Sequence, residues 1–154
     1  MGNNTILIID DNENDIKLLK GMLKSENYNL LSALRGEEGL KIVADTPPDL
    51  ILLDVLMPEM DGFEVCRQLK QEKKTRIIPI LMITALKEKE YCLKALEEGA
   101  DDFLSKPVDK TELQARIKSL LRISTYHNAL QESEERYRNI LDNKIGRASC
   151  RERV

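Results

Sequence analysis

The chain has 154 residues, room for one ordinary domain and a short appendage. Hydrophobic residues make up 42% and charged residues 33%, the balance of a soluble globular chain, and a net charge of −3 gives no pull toward nucleic acid. No run of about 18 apolar residues and no cationic-then-apolar amino terminus occurs, so neither a membrane span nor a signal peptide is expected. The three cysteines, Cys66, Cys92 and Cys150, are scattered and odd in number. They make no metal or disulfide framework and suit a reducing cytoplasm. The single histidine, His127, leaves no room for most His-based metal or triad schemes.

Along the chain, strand-like and helix-like stretches alternate. Thr5–Ile9 is a β-branched apolar run that ends in the acidic pair Asp10-Asp11. Asn12 or Asn14 then caps a helix whose apolar positions Ile16, Leu19, Met22 and Leu23 recur at helical spacing. Tyr28–Leu34 predicts a second strand and Gly36–Val43 a second helix. Asp49-Leu-Ile-Leu-Leu-Asp54, bounded by Pro47-Pro48 and Pro58, predicts a third strand buried on both faces of a parallel sheet. Gly62 opens a helix bearing Phe63, Val65, Cys66 and Leu69. Ile77–Ile83 predicts a fourth strand, with Pro79 near its start, ending at Thr84-Ala85. Lys87–Glu98 predicts a helix closed by Gly99. Asp102–Ser105 predicts a short fifth strand ending at Lys106-Pro107, and Asp109 or Thr111 caps a last helix with Leu113, Ile117, Leu120 and Leu121 on one stripe. Five alternations of strand and helix predict a doubly wound parallel α/β domain.

In such a sheet Asp10, Asp11, Asp54, Thr84 and Lys106 gather at the carboxyl ends of the strands, where open α/β sheets keep their ligand sites. Any one of them is readily a cap or a loop residue; five together are hard to ascribe to coincidence. Two carboxylates roughly 5 Å apart repel by about 3 kcal/mol at an effective dielectric of about 20. A hard cation between the oxygens relieves this, and Mg²⁺ suits because it accepts few carboxylates and keeps several waters. Lys106 adds an ammonium and Thr84 a hydroxyl. Together these can hold the equatorial oxygens of a phosphoryl group, with Asp54 as the carboxylate that carries it covalently.

Asp10-Asp11, Asp54 with Met57-Pro58 and Asp61-Gly62, Thr84-Ala85 and Lys106-Pro107 together resemble the response-regulator receiver domain of two-component signalling. The resemblance covers about residues 4–124. It implies a flavodoxin-like fold with five parallel strands in the order 2-1-3-4-5 and five helices. It implies phosphorelay signal transduction, with Asp54 as phosphoacceptor and no enzymatic activity beyond its own phosphorylation and self-dephosphorylation. Asp11 is then a direct Mg²⁺ ligand, Asp10 acts mostly through water, and the backbone carbonyl of Leu56 is the remaining protein ligand. Lys106 contacts the phosphoryl oxygen across a cis Lys106-Pro107 bond, and Thr84 with Phe103 forms the switch pair, for which plain core packing of Phe103 is the alternative. The implied partner is a histidine kinase or phosphotransfer protein in the cytoplasm, with no direct nucleic-acid or membrane contact. A homodimer through the face of the fourth helix, fifth strand and fifth helix, or through a linker helix, fits the same resemblance. Leu56 and Leu86, two residues beyond Asp54 and Thr84, offer no polar group to an attacking water, so slow self-dephosphorylation is expected.

Beyond this domain, Ile123, Tyr126, Leu130, Ser133, Tyr137 and Ile140 repeat at spacings of three and four. Residues 125–143 are expected to form a helical linker, and Glu132–Leu141 resembles the lead-in to a PAS sensory domain. Residues 144–154 have no apolar period, resemble translated sequencing-adaptor sequence and are expected to be a non-native scar. Two other readings compete. A haloacid-dehalogenase-type phosphatase needs a second Asp two residues after the nucleophile, and Leu56 stands there. An amino-terminal fragment of a hybrid sensor kinase, or of another multidomain signalling enzyme, remains open.

Overall fold

A computed structural model describes residues 4–85 and 89–123. Five parallel strands form its centre: β1 (Thr5–Ile9), β2 (Asn29–Ala33), β3 (Leu50–Asp54), β4 (Ile80–Thr84) and β5 (Asp102–Ser105). Their order is β2-β1-β3-β4-β5, as a flavodoxin-like doubly wound sheet requires. The helices between them are α1 (Glu13–Leu23), α2 (Gly36–Asp45), α3 (Gly62–Gln71) and α4 (Lys89–Glu97), followed by α5 over 110–123. The chain divides into units at Met1–Ser124 and Thr125–Val154, and all described residues fall in the first. The linker, the PAS-like stretch and the scar expected over 125–154 lie outside the described residues.

Side-chain alternation along the strands divides the core in two. Leu7, Ile9, Ile51, Leu53 and Met82 point to the face covered by α2, α3 and α4, where they meet Val43, Phe63, Val65, Cys66 and Ala95. Ile6, Ile8, Leu50, Leu52 and Ile83 point to the other face, against Ile16 and Leu19 of α1 and Leu113, Ile117 and Leu120 of α5. The central strands β3 and β4 are buried at every position, which explains their unbroken apolar sequence. Each such Leu or Ile contributes about 1.5–3 kcal/mol of transfer free energy. The apolar stripe read for the last helix is therefore its buried face.

The boundaries differ from the expectation in one informative place. The run Ile77–Ile83 reads as strand throughout, yet β4 begins only at Ile80. The preceding residues turn instead, with the Ile78 amide on the Thr75 carbonyl and the Thr75 hydroxyl on the Leu69 carbonyl at 2.5 Å. Pro79 has no amide to offer a neighbouring strand, and only its carbonyl joins β3, accepting from the Ile51 amide. The start of the helix expected from Lys87 falls on residues outside the description; α4 is described over Lys89–Glu97, and Gly99 turns the chain just beyond it with a φ of +102° that suits glycine.

Two caps aim the loops at the carboxyl edge. Asn12 caps α1, its side chain accepting from the amides of Asn14 and Asp15. Asp61 caps α3, accepting from the Glu64 amide, while the Gly62 amide donates to the Val55 carbonyl at 2.9 Å. That bond folds the loop after Asp54 back onto its own strand. A Cβ at Gly62 would strike the Asp54 carbonyl and lie 2.9 Å from the Val55 Cα, both immobile backbone atoms. Gly62→Ala is therefore expected to cost about 2 kcal/mol or more in urea unfolding. Gly21→Ala, in open space within α1, should gain about 0.5–1 kcal/mol. Equal effects at the two positions would contradict this.

Candidate functional site

The carboxyl edge of the sheet brings together the residues that the sequence pattern singles out. Asp54 and Thr84 are the last residues of β3 and β4, which pair in parallel register. Asp10 follows β1 directly, Asp11 comes next, and Lys106 follows β5. Carboxylate oxygens of Asp10, Asp11 and Asp54 all lie within 4.8 Å of one another. Asp10 and Asp54 are buried, 2% and 6% exposed, whereas Asp11 faces solvent. Asp10 accepts from the Asn12 amide at 2.9 Å, so the same turn that caps α1 orients a carboxylate of the cluster.

Lys106 reaches into this group from the end of β5. Its Nζ lies 3.1 Å from Asp10, 2.8 Å from Asp15 and 3.7 Å from Asp54. Its backbone amide donates to the Thr84 carbonyl at 2.8 Å, and the Lys106-Pro107 peptide is cis, as expected. Burial works against the ammonium, but the Asp15 hydrogen bond, the Asp54 charge and the Asp10 hydrogen bond together hold its pKa above the ordinary lysine value. Thr84 is fully buried. Phe103 sits in β5 opposite Met82, half-buried against the core cluster on the α2–α3–α4 face. Leu56 exposes its side chain just beyond Asp54. Leu86 lies outside the described residues.

The electrostatics mark Asp54 as a strained anion. Its pKa is pushed up from 3.8 to about 7, by burial first and then by the charge of Asp10; Lys106 opposes the rise, and Asp11 adds to it. Burial also lifts Asp10, against hydrogen bonds from the Asn12 amide and Lys106. Among the described residues the cluster and Asp15 bring four carboxylates to one ammonium, which pairs with Asp10, Asp15 and Asp54, so these groups are short of positive charge. The donor set is all oxygen, clustered and partly open to solvent through Asp11. This fits a hard divalent cation that keeps some of its own waters, better than a softer metal that prefers nitrogen or sulfur.

Sequence reasoning missed Asp15. An acid in the first turn of the helix that follows Asp10-Asp11 was a signal, but it reads equally as an ordinary complement to the helix dipole.

A doubly wound sheet with an acidic cluster, a lysine and a buried threonine at its carboxyl edge defines the class: a flavodoxin-like α/β domain that carries its charged site at the strand ends. Residues 6–118 match the response regulator receiver domain. The chain is 45% identical over 129 residues to the response regulator PleD of Caulobacter vibrioides, covering 84% of this chain and 28% of that protein. It is also 45% identical over 122 residues to the alkaline phosphatase synthesis transcriptional regulatory protein PhoP of Bacillus subtilis, covering 79% of this chain and 50% of that one. It thus spans half or less of the length of these relatives. A response-regulator structure from Chloroflexus aurantiacus superposes with a TM-score of 0.76 at 35% identity, over 79% of this chain and 99% of the other. The receiver domain of a signal transduction histidine kinase from Syntrophus aciditrophicus gives 0.72 at 39%, over 77% and 90%. The chain belongs to the response regulator receiver family, whose domains are phosphoacceptor modules of two-component signalling and not classical enzymes.

The raised pKa of Asp54 has a measurable consequence. The folded state keeps this proton to higher pH than the unfolded chain does. Its contribution to stability is therefore present below pH 3.8 and is lost as pH rises toward about 7. In metal-chelating buffer Asp54→Asn should unfold at higher temperature than the wild type at pH 8, with the difference shrinking toward pH 4. A gap that does not change with pH would contradict the charge cluster.

Proposed function

We propose that Asp54 accepts a phosphoryl group from a histidine kinase or phosphotransfer protein and stores it as an acyl phosphate. The observation that carries this reading is the burial of Asp54 at a strand end within 3.7 Å of the Lys106 ammonium. An Asp54 oxygen supplies the electron pair of the new P–O bond as the P–N bond of the donor phosphohistidine breaks. The imidazole nitrogen keeps the pair of the broken P–N bond and takes a proton from solvent. Asp10, Asp11 and Asp54, with the backbone carbonyl of Leu56, are the residues proposed to hold Mg²⁺, which supplies positive charge to the transferring oxygens. Lys106 supplies the matching ammonium and Thr84 a hydroxyl donor.

Signalling follows from a local charge event. The Thr84 hydroxyl moves toward the new oxygens, and the Phe103 ring takes up the space it leaves. Phe103 has no polar group to strand, so its burial costs no hydrogen bond. The face of α4, β5 and α5 is biased between two states in this way, and it is the proposed surface for a downstream partner or a second copy. We read residues 4–124 as the receiver unit and 125–143 as a helical linker, consistent with the division after Ser124. The proposed setting is the cytoplasm; among the described residues no helix is long and apolar enough to cross a membrane.

Incubation with a small phosphodonor and Mg²⁺, followed by intact mass, should add one phosphoryl group to the wild type and none to Asp54→Asn or to the wild type in chelator. An undiminished gain in the variant would overturn the proposal. Retention depends on what can orient water at the phosphorus. The exposed Leu56 side chain carries no polar group, so the acyl phosphate is expected to be long-lived. Leu56→Asn should lose it faster, and a variant as slow as the wild type would contradict the role of Leu56.

A further inference from the structure

The Lys106 ammonium is shared among three carboxylates, and the nearest is one that the phosphoacceptor reading leaves without a role. Asp15 Oδ2 is 2.8 Å from Nζ and Asp10 Oδ2 is 3.1 Å away, both hydrogen bonds. Asp54 Oδ1 at 3.7 Å is an ion-pair distance too long for a hydrogen bond. The ammonium thus favours the α1 side of the site over the phosphoacceptor.

The position of Asp15 is fixed by its helix. It stands in the first turn of α1, where Asn12 Oδ1 accepts from the amides of Asn14 at 2.9 Å and of Asp15 at 3.4 Å. The pair also borders a groove of apolar side chains, Leu18, Leu19, Ile83 and Val108, with Pro107 beside the lysine. Lys106 is only 21% exposed at its side chain and Asp15 33%, so water screens their attraction incompletely. An ammonium has three protons, and Asp10 and Asp15 engage two of them. A phosphoryl dianion on Asp54 must compete for the same group.

We propose that Asp15 is a positioning residue that holds the Lys106 ammonium away from Asp54, and so restrains both the gain and the retention of the phosphoryl group. The proposal rests on reading Asp54 as the phosphoacceptor. Removing the Asp15 charge frees Lys106 to move toward Asp54 and its phosphoryl oxygens. A purely supporting Asp15 would act with the opposite sign, because its loss would leave Lys106 badly placed.

Asp15→Asn is nearly isosteric and partly exposed, so the fold should survive it. In the unphosphorylated protein the ¹H–¹⁵N ammonium signal of Lys106 should be resolved in the wild type and broadened by faster proton exchange in Asp15→Asn. With a small phosphodonor and Mg²⁺, Asp15→Asn should be phosphorylated about two- to fivefold faster and keep the group correspondingly longer, the range for a partly exposed ion pair. In a Lys106→Met background the same substitution should change nothing. Slower or unchanged phosphorylation in Asp15→Asn would overturn the proposal, as would an equal acceleration in the Lys106→Met background, which would mean a through-space charge effect. No phosphorylation of the wild type would overturn the phosphoacceptor reading instead, and the ammonium signal distinguishes that failure because it needs no phosphodonor.

Discussion

Packing like charges at a buried sheet edge is the constraint on which the rest of this domain depends. Asp10 and Asp54 are almost fully withdrawn from water, and with Asp11 their oxygens gather within 4.8 Å. Such an arrangement opposes folding unless something positive accompanies it. Among the described residues the fold provides one ammonium there, from the end of the edge strand β5. Residue 106 meets residues 10 and 54 because β5 and β1 run parallel and end at the same edge, with β3 and β4 between them. The rigid core is what makes the charge cluster tolerable: strands β3 and β4, buried along their whole length, fix the two central groups, Asp54 and Thr84, relative to one another.

The same excess of negative charge underlies the role proposed for the site. Cations are drawn to it, and a phosphoryl group becomes acceptable only when cationic charge accompanies it. The Lys106 ammonium is divided between Asp10 and Asp15, and the restraint proposed for Lys106 rests on that sharing. Around it the structure is tightly determined. The Gly62 amide pins the loop after Asp54 to Val55, and Arg116 of α5 binds both oxygens of Asp102 at the start of β5. The Phe103 ring of β5 is half-buried and packs against the core on the α2–α3–α4 face, beside these fixed elements.

Much of this was legible in the sequence because each buried parallel strand announces itself as an unbroken apolar run that ends in a polar residue. Asp54 after Leu-Ile-Leu-Leu and Thr84 after Ile-Leu-Met-Ile are the clearest cases, and both are the last residues of their strands. The strand order and the cis bond before Pro107 came from resemblance, since local pattern carries neither. The fourth strand is expected too early, from Ile77, because Ile77 and Ile78 have strand-like side chains, while Thr75 and the missing amide of Pro79 decide the backbone. Asp15 escaped notice for a related reason. Its importance lies in a contact with a residue 91 positions away, which no helical periodicity reports.

The central claim is that one carboxylate, Asp54, carries the phosphoryl group. Borohydride reduces an acyl phosphate to an alcohol, which turns a phosphorylated aspartate into homoserine and leaves a free carboxylate untouched. Peptide mapping of the phosphorylated and reduced protein should find homoserine at position 54 alone. Homoserine at position 10, 11 or 15, or phosphate that survives the reduction on a hydroxyl side chain, would contradict the account.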